Sequence, residues 1–308
     1  MKKFWKVLLL LGLGCIVAGF LLAAILSIGF WDEIVRNRNY FSINEDNYWE
    51  FFEVRDYYKP NRRGARYGKE DANQSYFYEV PAGEQITELR FEFALGEVSV
   101  LPGDTFSVRV TDMFEGAISS EANNGIWYIK DSLLKEGSVF SGYAPEIEIT
   151  IPKDTLFEKV KIQVEAGDFY IDELLADSVD LWLKAGRMKV DSLTTRKSLT
   201  VKNGVGEIII YSLDGKNLSL DNGIGATTLY GSLTGNNKID CGIGEVKLVL
   251  TNQKHGGFGY SVDCGIGTVT VDGTSYSGMA RKSDYNRGET DFFELFCGIG
   301  RIEIELEN

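Results

Sequence analysis

A short phrase returns three times near the end of this chain: CGIGEVKLVL, CGIGTVTVDG and CGIGRIEIEL. Anchored on its second glycine, the phrase or a worn version of it occurs at Gly96, Gly167, Gly186, Gly206, Gly225, Gly244, Gly267 and Gly300. From Gly167 onward the steps are 19, 20, 19, 19, 23 and 33 residues. A period near 20 residues held over several copies marks a repeat architecture, in which each unit buries its apolar face against its neighbours.

The repeats align into columns. Five residues before the glycine the column runs Phe91, Ile162, Leu181, Val201, Leu220, Ile239, Val262 and Leu295. Two and four residues after it stand pairs such as Val98 and Val100, Ile208 and Ile210, and Ile302 and Ile304. One residue before it come Leu95, Ala166, Ala185, Val205, Ile224, Ile243, Ile266 and Ile299, so alternate positions are apolar on both sides of the corner. Polar residues such as Glu207, Lys247, Thr270 and Glu303 separate them. Alternation with period two is a strand pattern, not a helical one. Each repeat therefore reads as strand, Gly-x-Gly corner, strand and polar return, with glycine supplying positive φ and room for the coil above. The expected fold is all-β: a β-solenoid of roughly 20-residue coils over residues 80–308.

Three residues before the glycine lies the column Phe93, Val164, Leu183, Asn203, Asn222, Cys241, Cys264 and Cys297. By parity it points inward, where a free cysteine fills space as a small hydrophobe and asparagines hydrogen-bond along a ladder. Zinc would need convergent ligands, and the sequence has one histidine, His255, in a return loop. Without a C-x-x-C motif the thiols are expected to be reduced. A bridge between Cys241 and Cys264 is left open, because adjacent coils would bring their Cα atoms within disulfide range.

Ahead of the repeats, residues 7–31 (VLLLLGLGCIVAGFLLAAILSIGFW) contain no charged residue and are long enough to span a bilayer with some tilt. Lys2, Lys3 and Lys6 precede this run, and Asp32 and Glu33 follow it. The positive-inside rule then leaves residues 1–6 as a cytoplasmic tail and the rest outside, as a single-pass protein of the cell membrane. The apolar run is too long for an ordinary signal peptide and ends without a clear cleavage site. Residues 32–79 are aromatic and charged, with a capping box from Ser42 to Glu45 that starts a short helix. That helix either lies at the membrane surface or caps the first coil.

The 308 residues carry a net charge of −13, and the first 31 contribute three lysines and no acid, leaving −16 for the remainder. Such a chain is repelled by nucleic acid and by anionic lipid surfaces. Its bilayer contact is expected only through the N-terminal helix.

The stretch IEITIPKDTLFEKVKIQVEAGDFYIDELLADSVDLWLKAGRMKV, followed by the closing G-I-G coils, resembles a bacterial family of β-strand-repeat proteins described as adhesin-like, a domain of unknown function. The resemblance covers about residues 80–308. It implies a solenoid held outside the membrane of a Gram-positive bacterium, with no catalytic residues to carry over. Some relatives accompany cell-envelope stress systems, which implies an accessory or regulatory role as an alternative.

Among function classes, binding needs only an extended rigid surface, whereas catalysis needs converging groups and a cleft that a filled narrow solenoid lacks. No catalytic residue and no cofactor is expected, and the partner is an unknown envelope polymer or protein. Two surface features stand out. Four residues before the glycine, Asp221, Asp240 and Asp263 point outward on what the spacing presents as successive coils. Calcium would relieve their repulsion, as in calcium-dependent polysaccharide-acting enzymes, the remote alternative; solvent and Lys202 and Lys238 do so without a metal. The 33-residue step also holds an insertion of 14 residues beyond the usual 19, carrying Arg281, Lys282 and Arg287. These cations are partner-binding candidates on an acidic domain, the plain alternative being a loop folded over the last coil.

Overall fold

The computed structural model describes residues 74–113, 116–131, 145–254, 256–278, 281–286 and 288–307. The anchor expected at residues 7–31, the helix expected near Ser42, His255 and Arg287 lie outside the described residues. Among the described residues no helix is long and apolar enough to cross a membrane.

Every described element is a strand: β1 (Gln74–Glu79), β2 (Glu88–Gly103), β3 (Ser107–Met113), β4 (Ile118–Asn123), β5 (Ile126–Asp131), β6 (Glu146–Pro152), β7 (Leu156–Lys216), β8 (Leu218–Asn222), β9 (Ala226–Thr234), β10 (Asn236–Cys241), β11 (Glu245–Leu250), β12 (Gly259–Cys264), β13 (Thr268–Val271), β14 (Thr274–Ser277), β15 (Arg281–Tyr285), β16 (Phe292–Cys297) and β17 (Arg301–Leu306). The fold thus begins six residues earlier than the repeat pattern implied, because β1 pairs antiparallel with β3.

The alternating residues stack in parallel register. β2 lies on the start of β7 with Phe91 beside Ile162, Gly96 beside Gly167 and Val98 beside Phe169. The long β7 then winds on itself, Gly186 over Gly167 and Gly206 over Gly186. β8 and β9 follow on β7, and β10 and β11 follow on β8 and β9. The product is a strongly curled, mostly parallel, solenoid-like sheet. In the columns five and three residues before the glycine, and two and four after it, no side chain is more than 3% exposed. Burial of these columns along the stack is the main stabilising term, since one coil alone leaves its apolar face in water.

The column just before the glycine departs from the alternation. Val205, Ile224, Ile243, Ile266 and Ile299 are 51–70% exposed. The bend lies between their column and the next inward one, so parity fails there and the side chain is thrown outward. The corners are of two kinds. Gly96, Gly167, Gly186 and Gly206 have φ of 116–144°, a region that L side chains rarely adopt. The later glycines at 225, 244, 267 and 300 do not; close stacking alone demands them, since a Cβ there would overlap the carbonyl oxygen of the glycine in the adjacent level.

The order of levels departs from the order of the sequence at both ends. β16 pairs in parallel with β10 on one side and with β12 on the other, and β17 sits likewise between β11 and β13. The coil written last is therefore the penultimate level, and the Gly267 coil is outermost. Antiparallel β15 and β14 cover the outer edges of β12 and β13. At the opposite end β5 and β6 form the outermost level beyond β2, covered by antiparallel β4 and β3. Aromatic rings fill both ends: Trp127 with Phe91 and Phe106 at one, Phe258 with Phe293 and Tyr260 with Tyr276 at the other. A bare terminal level would offer a whole coil of unpaired backbone to another chain; the caps replace it with the short antiparallel edges of β14 and β15 at one end and of β1 and β4 at the other.

Candidate functional site

The Asn/Cys column does more than fill space. Asn203 and Asn222 donate through Nδ2 to the carbonyl oxygens of Gly206 and Gly225, at 3.2 and 2.9 Å. The thiols of Cys241, Cys264 and Cys297 donate in the same way to Gly244, Gly267 and Gly300, at 3.2, 3.0 and 3.1 Å. Each side chain closes its own corner. Cys241 also reaches the Arg301 carbonyl at 3.5 Å and Cys297 the Thr268 carbonyl at 3.7 Å, tying each level to the next.

All three cysteines are free and buried. The bridge left open between Cys241 and Cys264 does not match this geometry, because the Cys297 level lies between them. The Cys297 thiol is held above the ordinary range, first by the adjoining Cys241 thiol and then by burial. The hydrogen bond between the two lowers the Cys241 thiol to about 7, so it is burial that keeps this pair from acting as nucleophiles. Among the described residues, no group of three or more His, Cys, Asp or Glu is arranged to hold a metal ion.

Outside this column the corners build an open groove of about 410 Å³ along the stack. Its floor is the backbone of Gly223, Gly242, Gly298 and Gly265, and one wall carries Asp221, Asp240, Phe296 and Asp263. The floor glycines are required by stacking, for a Cβ on Gly298 would lie 2.7 Å from the Gly242 carbonyl oxygen. Immediately beyond the floor stand the exposed Ile224, Ile243, Ile299 and Ile266, extended one level further by Val205. In the earlier levels the floor position is filled by Ala94, Glu165 and Lys184, and the ridge position by Leu95, Ala166 and Ala185. Groove and ridge therefore begin together.

The aspartate ladder is corrected in its order. Asp221 and Asp240 are register partners, but the next level holds Phe296, and Asp263 lies beyond it. Three successive carboxylates do not occur, because the coil written last in the sequence takes the place between. Lys238 pairs with Asp240 at 2.9 Å and lies over the Phe296 ring, 5.4 Å from its centroid. The inserted segment folds back on the outermost level, with Lys282 opposite Asp263 and Arg281 opposite Cys264 in the β15–β12 pairing. Missing from the reading by residue type was the exposed isoleucine ridge, whose signal was present as large apolar residues at an x-Gly-Ile-Gly corner.

A family model described as Toastrack DUF4097 matches residues 89–290. The chain belongs to that family. The solved structures similar to this toastrack chain include a "putative cell adhesion protein" from Clostridium sporogenes, 17% identical, covering 76% of this chain and 99% of that one with a TM-score of 0.37. A "putative adhesin" from Bacteroides fragilis is 13% identical, covering 75% and 96% with a TM-score of 0.39. No curated protein matches the chain.

Proposed function

We propose that this toastrack protein is a non-catalytic, adhesin-like binding module, held on the outer side of a bacterial cell membrane by the apolar segment at residues 7–31. The observation that carries the reading is the apolar ridge of Val205, Ile224, Ile243, Ile299 and Ile266, left in water beside an open groove on a rigid, capped stack. Large exposed apolar stripes bordered by polar residues mark interaction surfaces. The groove is floored by backbone whose amides are already used between levels, such as Ile243 to Gly223 and Ile299 to Gly242. That floor offers contact area, and the Cys241 thiol beneath it, lowered to about 7, is buried.

The test has two parts. Protease added to intact cells should digest the chain beyond residue 31 while leaving an N-terminal epitope protected, and protection of the whole chain would overturn the placement. The purified full-length protein should bind isolated cell envelopes, and this binding should survive deletion of Arg281, Lys282 and Arg287 if the groove face rather than the basic insertion carries the contact. Absence of envelope binding would overturn the adhesin-like reading.

A further inference from the structure

We propose that the groove receives an extended peptide segment in which cationic and apolar side chains alternate. The inference deepens the binding reading above and rests on it. The groove is asymmetric: Asp221, Asp240 and Asp263 line it beside a strip of glycine backbone, and the exposed isoleucines stand one residue beyond that strip in each level.

In an extended chain successive side chains point to opposite sides. A segment lying along this strip sends every second residue toward the carboxylates and the intervening ones toward the isoleucines. The glycine floor lets its backbone approach closely, and its own peptide groups stay partly in water. Levels stack at about 4.8 Å, so the ridge from Val205 to Ile266 is about 19 Å long. At about 3.3 Å per residue, six residues span it. Phe296 interrupts the acidic wall between Asp240 and Asp263 and its ring is already covered by Lys238, so the ligand's cations are drawn to the carboxylates on either side of this level.

Charge complementarity selects this occupant over a second copy of the chain. Cations do face the region: Lys238 is paired with Asp240, Lys202 is the register partner of Asp221, Lys282 stands opposite Asp263 in the β15–β12 pairing, and Arg301, on the far side of the ridge, lies 4.0 Å from Glu245. The remainder after residue 31 nevertheless carries −16, and a self-contact through this ridge would bring two aspartate walls toward one another. An anionic lipid surface meets the same repulsion.

The test uses the full-length chain in a non-ionic detergent and three fluorescein-labelled octapeptides at low salt: alternating Lys and Val, the same residues in two blocks, and alternating Glu and Val. The alternating cationic peptide should bind at least tenfold more tightly than the blocked one, and the acidic peptide should not bind. Ile243→Ser with Ile299→Ser, both at exposed positions, should weaken the alternating peptide at least tenfold with the melting temperature unchanged. Asp221→Asn with Asp240→Asn should weaken it and flatten its salt dependence.

Equal binding of blocked and alternating peptides, or unchanged binding by the isoleucine variant, overturns the proposal. So does preferential ridge-dependent binding to phosphatidylcholine vesicles over the peptide. If wild-type protein and the isoleucine variant bind envelopes equally, the groove assignment fails while the adhesin-like reading stands; if neither binds envelopes but the peptide result holds, the reverse is true.

Discussion

Gly244→Ala separates close stacking from backbone strain as the reason for glycine at the later corners. Gly244 does not have the left-handed φ of the earlier corner glycines. An added Cβ would overlap the Gly225 carbonyl oxygen and lie 2.6 Å from Asn222 Nδ2, against 3.4 Å for ordinary contact. The levels must then part by roughly 1 Å to restore normal separation. Three backbone hydrogen bonds cross this corner: Gly242 to Asn222 at 2.8 Å, and Ile243 to Gly223 and Glu245 to Gly225 at 2.9 Å. Stretched by that amount they leave bonding range. At about 0.5 to 1.5 kcal/mol each, their loss costs about 2 to 4 kcal/mol.

The control is Gly288→Ala, where an added Cβ meets nothing within 4 Å and φ is not left-handed; it should stay within about 0.5 kcal/mol of wild type. Urea unfolding followed by circular dichroism, with slopes compared to confirm an unchanged reference state, measures both. Equal midpoints for the two variants would refute the argument that stacking, not backbone conformation, fixes these glycines.

Because asparagine and cysteine donate to the same corner carbonyl, Cys241→Asn should preserve stability better than Cys241→Ala, which removes the thiol donor while the Gly244 carbonyl still accepts from the Arg301 amide at 2.9 Å, at a cost of about 0.5 to 1.5 kcal/mol by urea unfolding. The native thiols should react slowly with an alkylating reagent and quickly once unfolded, as read by mass spectrometry. Glu92 accepts from Lys130 and Tyr128, each at 2.8 Å, and the Lys130 bond leads in holding its carboxyl below the ordinary range. A carboxyl with a depressed folded-state value contributes stability above its unfolded value and loses it as pH falls through the folded one. Glu92→Gln should therefore flatten the acid limb of the pH–stability curve below about pH 4. Deleting Thr274 to Arg287 removes both capping strands, so melting should fall and association should rise with concentration in light scattering; unchanged melting would show that the segment does not cap.

The inward columns were legible because two strict rules coincide in them: side chains alternate along a strand, and equivalent positions repeat every coil. Phe91, Val201 and Ile302 follow both. Ile243 obeys the second rule but not the first, since a bend between it and Cys241 reverses its direction, and no count of apolar residues detects a bend. The hydrogen bonds of the Asn/Cys column were half visible, in that asparagine and cysteine share a short donor, but the accepting carbonyl is set by the turn. The level order was hidden for a different reason. A step of 33 residues says how much chain separates two corners, not which side of the previous coil the chain returns to. Asp263 was accordingly placed beside Asp240, and Cys264 beside Cys241, where the Phe296 and Cys297 level intervenes.

The gap left for β16 and β17 also governs how the protein is made and how it can lengthen. A ribosome delivers the outermost coil and its cap before the sixteen residues from Phe292 to Glu307 that fill the space beneath them. Until these arrive, β12 and β13 lack the inner parallel partners that they have in the folded protein. A nonsense change near residue 291 therefore does not trim a terminal repeat; it removes the layer joining the end cap to the stack. Duplication is constrained in the same way: a coil added after Asn308 has no free edge to continue from, whereas one added between Gly186 and Gly225 simply extends the pile. Variation in length within such a fold belongs in its middle, and both ends behave as finished pieces.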